Sequence, residues 1–190
     1  MTTAISRRRF LQVSAASAGG LVFGFHIPFG DAAANTPTPA TAAPEVNAWV
    51  VVRPDDTVVI RIARSEMGQG TLTGLAQLVA EELECDWSKV TTEYPTPGQN
   101  LARNRVWGNF STGGSRGIRE SQDYVRKGGA TARAMLVQAA ANEWGVPVAE
   151  CTVAKGVITH KPSNRTTTYG KVAAAAGKLA PPTDVPLNDP

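Results

Sequence analysis

Ser65-Glu66-Met67-Gly68-Gln69-Gly70-Thr71-Leu72-Thr73-Gly74 separates two stretches of different hydrophobic period. Before it, Asp56-Thr57-Val58-Val59-Ile60-Arg61-Ile62-Ala63 is β-branched and partly alternating, which predicts a strand. After it, Leu75-Ala76-Gln77-Leu78-Val79-Ala80-Glu81-Glu82-Leu83 has apolar residues three and four apart, which predicts a helix over about residues 72–84. A strand, a glycine turn and a helix start form a corner where backbone N–H groups lack partners and the helix dipole favours negative charge. The corner fits neither common nucleotide signature. Gly68, Gly70 and Gly74 are spaced one residue too widely for the dinucleotide fingerprint, and no Lys-Ser or Lys-Thr follows as a P-loop requires. Taken alone, such glycines are equally well explained as a tight turn.

Outward from this corner, residues 49–53 predict a strand, and Pro54-Asp55-Asp56 a turn into the next one. Residues 90–94 predict another short strand, broken by Pro95-Thr96-Pro97-Gly98 and followed by an irregular stretch over residues 100–110. Ser111-Thr112-Gly113-Gly114-Ser115 is a second glycine turn. It opens the longest helical stretch, residues 118–144, where Val125, Ala132, Met135, Leu136 and Ala139 form a buried stripe. Within it Gly128-Gly129 marks a close helix contact or a short break, and Gly145-Val146-Pro147 is a stop. A hairpin is expected at residues 153–154 and 157–160 across Lys155-Gly156. Thr168 is then expected to cap a helix over residues 169–176, and residues 181–190 to form an extended tail. This irregular alternation of strands and helices predicts an α+β fold with mixed α/β layers.

At the N-terminus, Ser6-Arg7-Arg8-Arg9-Phe10-Leu11-Gln12 precedes an apolar, small-residue stretch and the small-x-small site Asp31-Ala32-Ala33-Ala34. That order predicts an export signal over residues 1–34, and the paired arginines before Phe-Leu specify the twin-arginine route and a periplasmic destination. Cleavage after Ala34 and cleavage near Ala43 are both compatible with the sequence. The whole chain has 19 Lys+Arg and 16 Asp+Glu, net +3. Arg7, Arg8 and Arg9 against Asp31 place +2 of this in residues 1–34, so the remainder is nearly neutral and no nucleic-acid surface is implied. Residues 35–45, rich in Thr, Pro and Ala, are expected to be a linker.

Met67-Gly68-Gln69-Gly70 and the following Leu-Val-Ala-Glu-Glu-Leu run, with Thr112-Gly113-Gly114-Ser115, Gly129-Ala130-Thr131-Ala132-Arg133-Ala134-Met135-Leu136 and Trp144-Gly145-Val146, resemble the molybdopterin-binding subunits of the xanthine dehydrogenase and aldehyde oxidase family. The likeness is greatest to the isoquinoline 1-oxidoreductase β-subunit type. It implies that residues 46–180 form the N-terminal portion of a molybdopterin-binding domain in a molybdenum oxidoreductase acting on aldehydes or N-heteroaromatic rings. By position, Met67, Gly68, Gln69 and Gly70 match the family's cofactor-contacting loop, and Thr112, Gly113, Gly114 and Ser115 its second cofactor loop. A further hydroxyl usual in the family is replaced here by Gly117. The resemblance also implies a molybdenum–molybdopterin cofactor in its cytosine dinucleotide form, a small [2Fe–2S] partner subunit, a cytochrome c as a possible electron acceptor, and a small-molecule substrate. Thr112 and Ser115 could instead be helix caps, and Met67 core packing.

The family's catalytic base is a Glu near the far C-terminus, and no segment here resembles its motif, so no catalytic residue is assigned. Glu81 and Glu82 are expected on a solvated helix face, and Glu66 in a structural role beside the loop. Two cysteines, Cys85 and Cys151, are too few for an iron–sulfur cluster and admit either a disulfide or two small buried apolar residues. His160 is expected on the surface of the hairpin, with no protein-ligated metal site, and Trp49, Trp87, Trp107 and Trp144 as core or interface anchors. The chain is thus expected to be a fragment or a truncated product, inactive alone. The alternative is an exported non-enzymatic domain that binds a partner subunit or a small anion.

Overall fold

The β-branched run before the first glycine loop pairs on both sides, and this sets the architecture. In the computed structural model, which describes residues 45–188, β1 (Val50–Val52) lies antiparallel to β2 (Val58–Arg61), and β2 lies parallel to β3 (Val90–Glu93). A parallel pair needs a crossover, and helix α1 (Thr71–Leu83) supplies it. Every residue of β1 and β2 is buried, which explains why their sequences are nearly continuously apolar. A second, antiparallel sheet holds β4 (Cys151–Ala154), β5 (Val157–His160) and β6 (Arg165–Thr168) in that order.

Between the sheets run α2 (Pro97–Ala102), α3 (Arg116–Arg119) and the 23-residue α4 (Gln122–Trp144), and α5 (Tyr169–Ala176) follows β6. Helix α4 packs along α1 and against α5. The predicted stripe Val125, Ala132, Met135, Leu136 and Ala139 joins Leu75, Val79 and Leu83 of α1 and Val50, Val52, Val58 and Ile60 of the sheet in one core. The fold is α+β, as the sequence predicts. The described residues belong to one compact unit, Thr41–Pro190. The export signal at 1–34, the linker up to residue 44 and the last two residues of the tail lie outside the described residues.

Several expectations need correction. The helix expected over residues 118–144 is two helices, broken at Ser121 rather than at the glycine pair. Ser121 is fully buried, and its hydroxyl accepts from Arg64 Nε at 3.0 Å and from the Tyr124 hydroxyl at 2.6 Å, which holds the chain in a turn. Of the two readings of Gly128-Gly129, the close helix contact is the one the structure shows: a Cβ on Gly129 would sit 2.6 Å from the Val79 carbonyl oxygen. Thr96-Pro97-Gly98-Gln99 ends no more than the strand, because Thr96 and Gln99 form a reciprocal capping box with Pro97 in the first turn and so start α2. Thr168 stands at the α5 N-cap without a side-chain cap bond, and the Asp56 carboxylate accepts from Gly170 N–H there at 2.8 Å. Glu82 is not on a solvated face. It is 1% exposed, paired with Arg126 at 2.6 Å, and accepts the Asn188 N–H at 2.9 Å, which pins the extended tail to α1. His160 is also buried, between Ser163 Oγ at 2.6 Å and Glu150 Oε2 at 2.8 Å. Cys85 and Cys151 are free thiols, and burial pushes the Cys85 thiol up to about 12.

Candidate cofactor-binding site

β2 ends at Arg61, and the next residues carry the chain to the first glycine loop, residues 65–70. Gly68 (φ 94°) and Gly70 (φ 76°) hold left-handed conformations that favour glycine. Their effect is to turn N–H groups inward, and the acceptor they meet is Glu66. Its Oε1 accepts from Gly68 N at 2.7 Å and Gly70 N at 2.9 Å, and its Oε2 accepts from Leu72 N at 2.9 Å. The N–H groups of Leu72, Gly70 and Gly68 hold the Glu66 carboxyl below the usual carboxylate range. The corner expected to be open to an outside anion is therefore filled by the chain's own carboxylate. Gln69 is likewise folded back: its Nε2 donates to Ser65 O at 2.8 Å, and its Oε1 accepts from Met67 N at 2.6 Å. Met67 is 69% exposed, so core packing is not its role.

The second loop, residues 111–115, is brought alongside by the buried Arg64. Arg64 donates to Ser121 Oγ, to Asn109 Oδ1 at 3.4 Å and, more closely, to the Ser111 carbonyl. Thr112 Oγ1 accepts from Ser65 N at 2.9 Å, joining the two loops directly. Arg116 Nε donates to Gly113 O at 3.2 Å and its Nη2 to Ser111 Oγ at 3.3 Å, bracing the loop. Upstream, Trp107 is buried beneath the guanidinium groups of Arg61 and Arg103, 5.9 and 5.4 Å from its ring centre. Both arginines are paired with Glu45, which anchors the irregular stretch to the first sheet.

The loops face a common cleft of about 490 Å³. Met67 and Gln69 line it from one side, and Thr112, Gly113, Gly114 and Ser115 from the other. Gly68 and Gly70 shape the loop without lining the cleft. Capping does not explain the second-loop hydroxyls: Ser115 stands at the α3 N-cap with no side-chain cap bond, and Thr112 bonds across to Ser65. Among the described residues the Ser115 hydroxyl has no partner. Thr112 accepts through its oxygen and keeps its own O–H for another acceptor. With the Arg116 guanidinium on the same wall, the donors suit an acceptor-rich, anionic group, so the residues present fit a phosphate-bearing pterin. Arg64, Arg116 and the Glu66 closure were missed in the sequence. The available signal for Arg64 was an arginine following the apolar pair Ile62-Ala63 just past β2, where a cation needs buried acceptors.

Two glycine loops set by a strand and by paired helices onto one donor-lined cleft define an α+β cofactor-binding domain. The chain belongs to the molybdopterin cofactor-binding domain family, whose model matches residues 12–187. It is 38% identical over 177 residues to the isoquinoline 1-oxidoreductase subunit beta of Brevundimonas diminuta, covering 92% of this chain and 22% of that protein. It is 34% identical over 161 residues to a membrane-bound aldehyde dehydrogenase [pyrroloquinoline-quinone] of Gluconacetobacter polyoxogenes, covering 82% of this chain and 19% of that protein. The chain thus spans about a fifth of the length of these curated relatives. Among solved structures, the Cu,Mo-CO dehydrogenase in its carbon monoxide reduced state matches 66% of this chain and 15% of its own, with a TM-score of 0.49 and 21% identity.

Proposed function

We propose that this chain supplies one wall of the molybdopterin site in the large subunit of a molybdenum hydroxylase that oxidises aldehydes or N-heteroaromatic rings. The observation that carries this is the convergence of Met67 and Gln69 with Thr112–Ser115 on one cleft, although the two segments are more than forty residues apart in sequence. The names of the two curated relatives, one for isoquinoline and one for aldehyde dehydrogenase, support the substrate classes. Bound there, a molybdenum–pterin cofactor would supply oxidative hydroxylation of an electron-poor carbon. The chain's own part is binding and orientation. The Thr112 and Ser115 hydroxyls and the Arg116 guanidinium donate to phosphate or ring acceptors, while Met67 and Gln69 close the opposite side.

No proton-transfer role falls to Glu66 or Glu82, because the first is held by three N–H groups and the second is paired with Arg126. In this proposal the base belongs to another part of the enzyme, and the electrons leave through a [2Fe–2S] partner subunit. We extend the proposal to export by the twin-arginine route, since a cofactor inserted in the cytoplasm requires passage of the folded protein.

The test is metal and cofactor analysis of the full subunit co-expressed with its iron–sulfur partner. Expected are near-stoichiometric molybdenum, and a pterin that releases a cytidine nucleotide on acid hydrolysis. Gln69→Ala is expected to lower occupancy or turnover with the melting temperature unchanged. A protein lacking both molybdenum and pterin, or holding pyrroloquinoline quinone instead, overturns the proposal and favours the quinone chemistry in the second relative's name or a non-enzymatic role.

A further inference from the structure

The first glycine loop is closed around a charge that belongs to the chain. Three N–H groups, from Gly68, Gly70 and Leu72, converge on the Glu66 carboxylate at 2.7 to 2.9 Å. Such a concave set of donors at a helix start is a receptor for an external anion. Here the receptor and the anion lie within one heptapeptide, and the Glu66 N–H donates to the Tyr94 hydroxyl at 3.0 Å, which fixes the glutamate to the end of β3. The two cleft-lining side chains of this loop ride on that knot. Gln69 is bonded to Ser65 O and Met67 N, so its position follows the loop backbone. Without the carboxylate, three inward N–H groups would be left to water, and two left-handed glycines would lose the contact that orders them.

We infer that Glu66 is a positioning residue for cofactor binding: its carboxylate is a built-in anion that sets the Met67–Gln69 wall of the cleft and closes the nest to phosphate. This rests on the proposed function for its purpose, but not for its structural content. Among the described residues, the side-chain donors that the cleft offers to a cofactor's anionic groups then stand on the opposite wall, at Thr112, Ser115 and Arg116.

The test combines Glu66→Ala and Glu66→Gln with added formate, the smallest carboxylate that fits an emptied nest. In the cofactor-free protein, amide exchange protection at Gly68, Gly70 and Leu72 is expected to fall by roughly tenfold or more in Glu66→Ala. Formate is expected to restore it in Glu66→Ala and to leave Glu66→Gln unchanged, because there the amide fills the nest and turns a donor toward a donor. In the holoprotein, molybdenum and pterin content is expected to fall in both variants with little change in melting temperature, and to recover with formate only in Glu66→Ala. Unchanged protection in Glu66→Ala, no response to formate, or full cofactor content in both variants would overturn the inference. A wild-type protein without cofactor would instead defeat the proposed function, while the exchange measurement would still decide the role of the carboxylate.

Discussion

Gly117, where the resemblance to the family implies a hydroxyl, closely approaches Thr71. A Cβ at position 117 would lie 2.8 Å from Thr71 Oγ1 and 3.1 Å from its Cγ2. Thr71 is buried in the first turn of α1, and both residues line the cleft, so the glycine lets the starts of α1 and α3 meet beneath it. Gly117→Ala is expected to destabilise the protein by about 1–3 kcal/mol. Thr71→Ala/Gly117→Ala should recover most of that loss in a thermal or denaturant melt, and a double variant no better than the sum of the singles would refute the contact. Glu66 yields a pH prediction. Its carboxyl is depressed in the folded protein, so the bonds it accepts stabilise the loop above the ordinary carboxyl pKa and are lost as pH falls through the lower folded value. Protection factors at Gly68, Gly70 and Leu72 are expected to hold at neutral pH and to fall only below the ordinary carboxylate range, with a flat profile in Glu66→Gln. At this scale the sequence marked the two loops that the fold brings to one cleft, through glycines that a left-handed turn demands. It did not show that the first nest is self-filled, since a carboxylate two residues ahead of a glycine loop is equally consistent with a solvent-facing side chain.

The elements divide by whether their cause is local. β1, β2, α1 and α5 were legible because β-branched apolar runs and helical spacing are written in consecutive residues. The start of α2 was also written locally, as Thr96-x-x-Gln99 with Pro97, but a proline after a strand reads first as a breaker. β6 is Arg165-Thr166-Thr167-Thr168, with no apolar face, so only pairing with β5 makes it a strand. The break between α3 and α4 is tertiary in origin: Arg64, fifty-seven residues away, takes the Ser121 hydroxyl. The glycine pair tempted a break but serves close packing of α4 on α1. Gly129→Ala would press a Cβ to within 2.6 Å of the Val79 carbonyl, a backbone atom that cannot rotate aside. A loss of about 3 kcal/mol or more is expected, at the upper end for overpacking. Gly128→Ala meets the Trp49 side chain at 2.9 Å, where a rotamer shift can relieve the clash, so its cost should be smaller. Equal melting temperatures for the two variants would contradict this account of the helix pair.

At the scale of the whole molecule, the tail shows how far a distant ion pair can decide the course of a chain. Residues 181–188 form no helix or strand, yet Asn188 is held at four points. Its N–H donates to Glu82, its Nδ2 to Glu81 O at 3.2 Å, its carbonyl accepts from Arg126 at 2.6 Å, and its side-chain oxygen from Arg133 at 2.8 Å. Nothing in consecutive residues warned of this, because Glu81-Glu82 has the pattern of an exposed helix face; Glu81 stays exposed, and Glu82 becomes buried only when α4 and the tail arrive. Glu82 is a buried charge whose partners come from both, so each end of the interaction depends on the other. Arg126→Met is expected to cost about 3 kcal/mol, since it strands the Glu82 carboxylate with the single Asn188 N–H. Glu82→Leu/Arg126→Met should be more stable than Arg126→Met alone, because the double change removes the uncompensated charge along with its partner. Arg126→Met removes one of the four bonds to Asn188 and the double change removes two, so residues 183–188 should become more sensitive to limited proteolysis, most in the double variant, while the α1–α4 core stays protected. A tail that remains resistant in the double variant would mean that Arg133 and the apolar contacts of Val185 hold it without the buried pair.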